Sequence, residues 1–251
     1  MNITPLLDKV KIAFTPDVSF EQYPFSLSFI KRLKEINFPT QVTFFVGENG
    51  AGKSTILEAI AHNAGFGLEG GSKNISFKTS QEYTYNGVYS LAECFTLSWR
   101  MKPKNGYFFR AESFFNVANY LDTLESTVLD AYGGKSLHAQ SHGEGFLSFF
   151  QNRLGSHGFF IFDEPEAALS PQRQLALLSI IHDVCKNPDA QFIIATHSPI
   201  LLAYPNATIY SCDSNTLKTI AYEETEHYQI TKNFLDNPSI YLRHLFKNSN
   251  G

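Results

Sequence analysis

Gly47-Glu48-Asn49-Gly50-Ala51-Gly52-Lys53-Ser54 follows the pattern G-x-x-x-x-G-K-[ST], whose residue types and spacing suit the cradling of a phosphate chain. The glycines let successive backbone N–H groups curl around an anion, and a helix starting at Lys53 adds the positive end of its dipole. Lys53 is placed to reach the β and γ phosphates, and the Ser54 hydroxyl to hold Mg²⁺. With Thr55 the expected binding run is Gly47, Asn49, Gly50, Ala51, Gly52, Lys53, Ser54 and Thr55.

Two more stretches carry reactive side chains at the end of an apolar run. Phe159-Phe160-Ile161-Phe162 is followed by Asp163 and Glu164. Asp163 at a strand end can order a magnesium shell beside the phosphates. Adjacent strand side chains point to opposite sides, so Glu164 does not duplicate it and is free to polarise an attacking water. Phe192-Ile193-Ile194-Ala195-Thr196 leads into His197. In open α/β sheets ligands sit outside the carboxyl ends of the strands, which predicts Gly47, Asp163 and His197 along one edge, with His197 as a sensor of the γ phosphate.

The elements that must position these residues are legible in outline. Val42 to Val46 reads as a buried strand and Lys53 to Ala64 as a helix ended by Gly65. Ile75 to Arg110, broken at Asn86-Gly87 and at Pro103 to Gly106, reads as a small antiparallel group of strands. Phe114 to Ala131 and Phe146 to Leu154 read as helices, so that 111–155 forms a helical lobe. Ser170 is an N-cap with Pro171 at the first helical position, and Leu175, Leu178 and Ile181 line one side of the helix beyond it. Gln191 to Thr196, Thr208 to Cys212 and Thr216 to Ala221 are strands, the last two flanking the turn Asp213-Ser214-Asn215. Buried strands alternating with helices predict an α/β fold with a mainly parallel sheet covered on both faces.

The 251 residues, 43% hydrophobic, suit one core and one domain with internal lobes. A net charge of −4 provides no broad positive field for nucleic acid or an anionic membrane, although a local basic patch stays open. Cys94, Cys185 and Cys212 lie far apart without metal or disulfide spacing, which suits a reducing compartment. Met1 to Phe14 lacks the apolar centre of a secretory signal, and even Phe192 to Tyr204 is too polar to span a bilayer, so a soluble cytoplasmic protein without membrane insertion is expected. Glu223-Glu224-Thr225-Glu226-His227 reads as acidic surface.

With these residues in hand, the chain resembles the ABC-type P-loop ATPases, including the heads of the SMC and RecF-like group, and more closely the small stand-alone predicted ATPases of bacteria, loosely called AAA ATPases. The Gly47–Ser54 run corresponds to the Walker A loop, and the Walker B segment of that group is similar to Asp163-Glu164-Pro165-Glu166-Ala167-Ala168-Leu169-Ser170-Pro171. The resemblance implies ATP as the nucleotide, with Mg²⁺, and a signature loop that grips the γ phosphate held by a second protomer. Gln140-Ser141-His142-Gly143-Glu144 occupies the signature position, which would give Ser141 a phosphate contact and Gly143 a close approach. Ala167 to Ser170 would be the D-loop. The usual magnesium-touching glutamine after the strand Tyr107 to Arg110 is missing, and Arg110, Glu112 and Ser113 stand there instead. Phe20 or Tyr23 would stack on the adenine.

Donor groups of one protomer on the other's phosphate imply an ATP-dependent homodimer that opens on hydrolysis. No heptad repeat supplies a coiled-coil arm. A soluble ATPase switch acting on nucleic acid or a protein partner is the leading reading, with Lys31, Arg32 and Lys34, and Arg100, Lys102 and Lys104, as candidate phosphate contacts. The nucleotide-binding subunit of an ABC membrane transporter is the alternative, and a non-hydrolysing ATP-binding module a third.

Overall fold

The computed structural model describes residues 5–72, 82–113, 150–151 and 154–247. Nine strands form two sheets among these residues. The larger sheet contains β3 (Val42–Val46), β5 (Gly106–Arg110), β6 (Gly158–Asp163), β7 (Ala190–Ala195), β8 (Thr208–Ser211) and β9 (Lys218–Thr219), in the order β5-β6-β7-β3-β8-β9. All neighbours run parallel except the β8–β9 pair at one edge. The smaller sheet is antiparallel, with β1 (Leu7–Ile12) between β2 (Glu35–Asn37) and β4 (Phe95–Trp99).

The three central strands β3, β6 and β7 are buried at every position. Their side chains alternate between two cores, as a pleated strand covered on both faces requires. Phe45, Phe159, Ile161, Ile193 and Ala195 face one core with helix α1 (Lys53–Ala64) and the small sheet. Phe44, Phe160, Phe162, Phe192 and Ile194 face the other with helix α3 (Pro171–Cys185) and the short α4 (Pro199–Leu202). Glycine in left-handed conformation bounds α1 at both ends, Gly52 at φ 94° and Gly65 at φ 92°.

Three local expectations are corrected. The strand group expected over 75–110 contains helix α2 (Glu82–Glu93), whose Val88, Leu91 and Ala92 are buried at helical spacing. Asn86-Gly87 is therefore no hairpin turn. A Cβ on Gly87 would lie 3.0 Å from Pro24 Cδ and 3.2 Å from the Tyr23 carbonyl oxygen, so the glycine lets the helix approach the Tyr23-Pro24 segment. Among the described residues of that stretch only β4 joins the antiparallel sheet, and β5 is the edge strand of the parallel one. On α3, which begins at Pro171 after Ser170 as expected, Leu177, Ile181 and Val184 are buried while Leu175 is exposed; the inner row runs through 177, 181 and 184. The strand expected over Thr216 to Ala221 shortens to β9. The helix expected over Phe114 to Ala131 and most of that over Phe146 to Leu154 lie outside the described residues, although Phe150 is buried against Phe109 and Phe162.

Candidate functional site

The carboxyl ends of β3, β7 and β6 lie side by side, with Ala195 opposite both Phe45 and Asp163. The glycine-rich loop leaves β3 and turns into α1, with Gly47, Gly50 and Gly52 all at positive φ. Lys53 is buried and donates to the carbonyl oxygens of Gly47 (2.7 Å) and Glu48 (3.0 Å), so the lysine is folded onto its own loop. Asp213, just beyond β8, accepts from the Glu48 N–H at 2.6 Å and steadies the loop from outside. A Cβ on Gly47 would come within 2.7 Å of the Asp213 Oδ1, which explains glycine there.

Ser54 Oγ donates to Asp163 Oδ1 at 2.9 Å, which joins the first turn of α1 to the end of β6. Burial pushes the Asp163 carboxyl up to about 6, against the opposing influence of Arg110 and of the Ser54 hydrogen bond. The two oxygens are hard donors of the kind Mg²⁺ takes, and their small number suits a cation that keeps waters and binds substrate phosphates. Among the described residues no group of three His, Cys, Asp or Glu side chains gathers to hold a metal.

Arg110, at the end of β5, stands where a glutamine was expected. Its buried guanidinium contacts Glu58 at 2.7 Å, Glu112, and Asp163 Oδ2 at 3.7 Å, and donates to the Leu68 carbonyl oxygen at 3.1 Å. Glu58 in α1 is held up near 7 by burial, offset in part by Arg110. Sequence reasoning missed Glu58, since a glutamate inside an amphipathic helix carries no mark of its partner across the sheet.

Glu164 comes directly after Asp163 in a left-handed conformation, φ 51° and ψ 52°. A non-glycine residue held there is uncommon and marks a constrained position. Its Oε1 lies 3.5 Å from His197 Nε2. The His197 backbone N–H donates to Glu166 Oε1 at 2.6 Å, which ties the turn after β7 to the turn after β6. His197 Nδ1 meets His227 Nε2 at 2.8 Å, their rings 4.9 Å apart. Desolvation first, then Lys53, lowers the affinity of both imidazoles for a proton, and the His227 ring adds to the effect on His197. His227 lies at the start of helix α5 (Glu226–Asp236), so the reading of Glu223 to His227 as plain acidic surface is corrected at the fully buried Thr225 and at His227. The lone signal was a histidine in an otherwise acidic run.

Tyr23 hydroxyl is hydrogen-bonded to Thr55 Oγ1 beside the loop, whereas Phe20 packs edge-on against Phe14 and Phe25. Gly47, Asn49, Gly50, Ala51, Gly52, Lys53, Ser54, Thr55, Asp163, Glu164 and His197 thus belong to one edge of the sheet. Ser141 and Gly143 lie outside the described residues. Of the basic clusters, Arg100 is paired with Asp8 at 2.7 Å, while Lys31, Arg32, Lys34, Lys102 and Lys104 are exposed. The three cysteines are free and buried. No described helix is long and apolar enough to cross a membrane.

Residues 25–116 match the family model described as "AAA domain", and residues 139–203 match one described as "AAA domain, putative AbiEii toxin, Type IV TA system". A search of curated proteins returns no match. Among solved structures, one titled "An inward-facing conformation of a putative metal-chelate type ABC transporter" aligns at 13% identity and TM-score 0.51, over 92% of this chain and 88% of that one. The SMC head domain from Thermotoga maritima aligns at 17% identity and TM-score 0.44, over 86% and 98%. A third, cbiO1 from Clostridium perfringens, part of the ABC transporter complex cbiONQ, aligns at 18% identity and TM-score 0.47, over 96% and 99%.

Proposed function

From a chain with the P-loop ATPase fold of the ABC and SMC type, we propose a protein that binds ATP with Mg²⁺, hydrolyses it, and uses ATP-driven homodimerisation as a switch on a nucleic acid or protein partner. The observation that carries this reading is the meeting of three strand ends: the Ser54–Asp163 hydrogen bond of 2.9 Å lies on the same edge as the Glu164–His197 contact of 3.5 Å.

In this reading the amides of the glycine loop and the N-terminus of α1 hold the phosphate chain. Lys53 exchanges the carbonyl oxygens of Gly47 and Glu48 for phosphate oxygens. Ser54 and Asp163 hold Mg²⁺, which supplies charge neutralisation at the phosphates. Glu164 takes a proton from the attacking water as its oxygen bonds to the γ phosphorus and the bond to the β-γ bridging oxygen breaks. His197 Nε2–H donates to the terminal phosphate. Tyr23, exposed beside Thr55, is the aromatic nearer the loop for the base. The chain acts as one ATPase unit, with Ser141 and Gly143 reaching the nucleotide of a second copy.

The test is turnover and ATP binding by wild type and Glu164→Gln. Removal of a general base is expected to cut turnover by about a hundredfold or more. ATP binding should persist. A wild type without turnover, or a Glu164→Gln variant that turns over at the wild-type rate, would sink the assignment.

A further inference from the structure

The His197–His227 contact lies on a helix that the ATPase reading does not use. Two imidazole nitrogens 2.8 Å apart share one hydrogen, and two arrangements satisfy that. In the first, His197 Nδ1 donates to His227 Nε2. His197 Nε2 is then a bare lone pair 3.5 Å from Glu164 Oε1, so two acceptors face each other. In the second, His227 Nε2–H donates to His197 Nδ1. His197 then carries its hydrogen on Nε2, 3.5 Å from the carboxylate oxygen, so that opposite rather than like partial charges face each other there, although neither His197 Nε2 nor His227 Nδ1 completes a hydrogen bond among the described residues.

The geometry points to the second arrangement: His227 is a positioning residue that fixes His197 as the neutral Nε2–H tautomer, the form able to donate to a terminal phosphate. This inference rests on the ATPase reading for its purpose and not for its geometry. The position of His227 is set by neighbouring contacts. The fully buried Thr225 caps α5 by accepting from the Tyr228 N–H at 3.3 Å. The Tyr222 hydroxyl donates to the Pro199 carbonyl oxygen at 2.9 Å, two residues past His197, and the Tyr222 ring packs on Tyr228. The start of α5 is thereby fastened to the turn that bears His197. Lys53, Glu48, Glu164 and Glu166 surround His197, and Lys53, Glu48, Asp213 and Glu226 surround His227. Burial and the nearby Lys53 disfavour an added proton on either ring, so the working pair is neutral.

Long-range proton–nitrogen spectra of nucleotide-free protein labelled at histidine read the tautomer directly, with His197→Gln identifying the ring. Wild type is expected to show His197 with Nε2 protonated and Nδ1 bare. His227→Leu should abolish that preference, and His227→Gln, which keeps an N–H donor at the same reach, should retain it. A wild-type ring protonated at Nδ1, or a preference unchanged in His227→Leu, overturns the inference. In turnover, His227→Leu should lower kcat about tenfold, the scale of one lost charge-assisted hydrogen bond, with KM for ATP within about twofold. His227→Gln should recover most of it, and His227→Leu should add nothing in a His197→Ala background. If His197→Ala slows turnover and His227→Leu does not, the positioning role fails while the ATPase reading stands. If wild type has no turnover, the ATPase reading fails and the spectra still decide the tautomer.

Discussion

Glu58 shows how a residue remote from the phosphates sets conditions for the site. It is buried against Arg110, which also faces Asp163, and two carboxylates competing for one guanidinium in a dry environment cannot both ionise cheaply. Its folded value of about 7 lies above the ordinary 4.5. An acid raised in this way holds its proton in the folded chain at pH values where the unfolded chain has already lost it. Its contribution therefore favours folding below 4.5 and is lost as pH rises through 7. His197 and His227, both lowered, act with the opposite sign and cost stability as pH falls through 6.5. The two effects separate by variant: between pH 8 and pH 5, Glu58→Gln should gain less in Tm than wild type does. Parallel Tm profiles for the two proteins would show that Glu58 is not the titrating group.

At the level of elements, β5 and β6 meet more closely than side chains allow. A Cβ on Gly106 would lie 2.2 Å from the Phe159 carbonyl oxygen and 2.8 Å from Phe66 Cζ. The first of these is backbone of the neighbouring strand and cannot swing aside. Gly106→Ala should therefore destabilise by about 2 kcal/mol, which lowers Tm by about 4–8 °C in a chain of this size. A thermal melt with no change would mean that the strands part without cost. The same elements explain what the sequence could convey. Strands β3, β6 and β7 and helices α1 and α3 were readable because apolar runs end in Gly, Asp, His or Ser-Pro, each of which marks a boundary by its own chemistry. Helix α2 was not, because Asn86-Gly87 carries the local signal of a hairpin while the contact that needs glycine, with Tyr23 and Pro24, comes from far along the chain. The small antiparallel sheet was expected, with β4 inside the predicted stretch, but its partners β1 and β2 were hidden for the same reason: Lys11 pairs with Glu35 and Thr96, and no local pattern records such partners. In the site, the three strand ends were legible and their supports were not. Asp213 was read only as part of a turn, and His227 as the end of an acidic run.

For the molecule as a whole, the open side of the site is the informative feature. The Glu164 side chain is 44% exposed and that of His197 29%, and a Cβ on Gly50 would meet nothing within 4 Å. A general base exposed to this degree polarises bulk water as readily as the attacking one, so efficient hydrolysis calls for a second surface that excludes solvent. In the proposed homodimer a second copy presenting Ser141 and Gly143 across a two-fold axis would supply one, and would make the terminal phosphate the joint between the copies. Hydrolysis would then remove the group that both halves hold and let them part. The Glu164→Gln protein should accordingly be a dimer by light scattering with Mg-ATP and a monomer with Mg-ADP or without nucleotide. Ser141→Arg in that background should block the dimer while ATP still binds, since a bulky cation in the expected signature loop obstructs close approach to the phosphate. A Glu164→Gln protein that binds ATP and stays monomeric would reject closure by a second copy and move the missing surface to a different partner. A dimer that persists with Ser141→Arg would keep the closure and remove Gln140 to Glu144 from the joint.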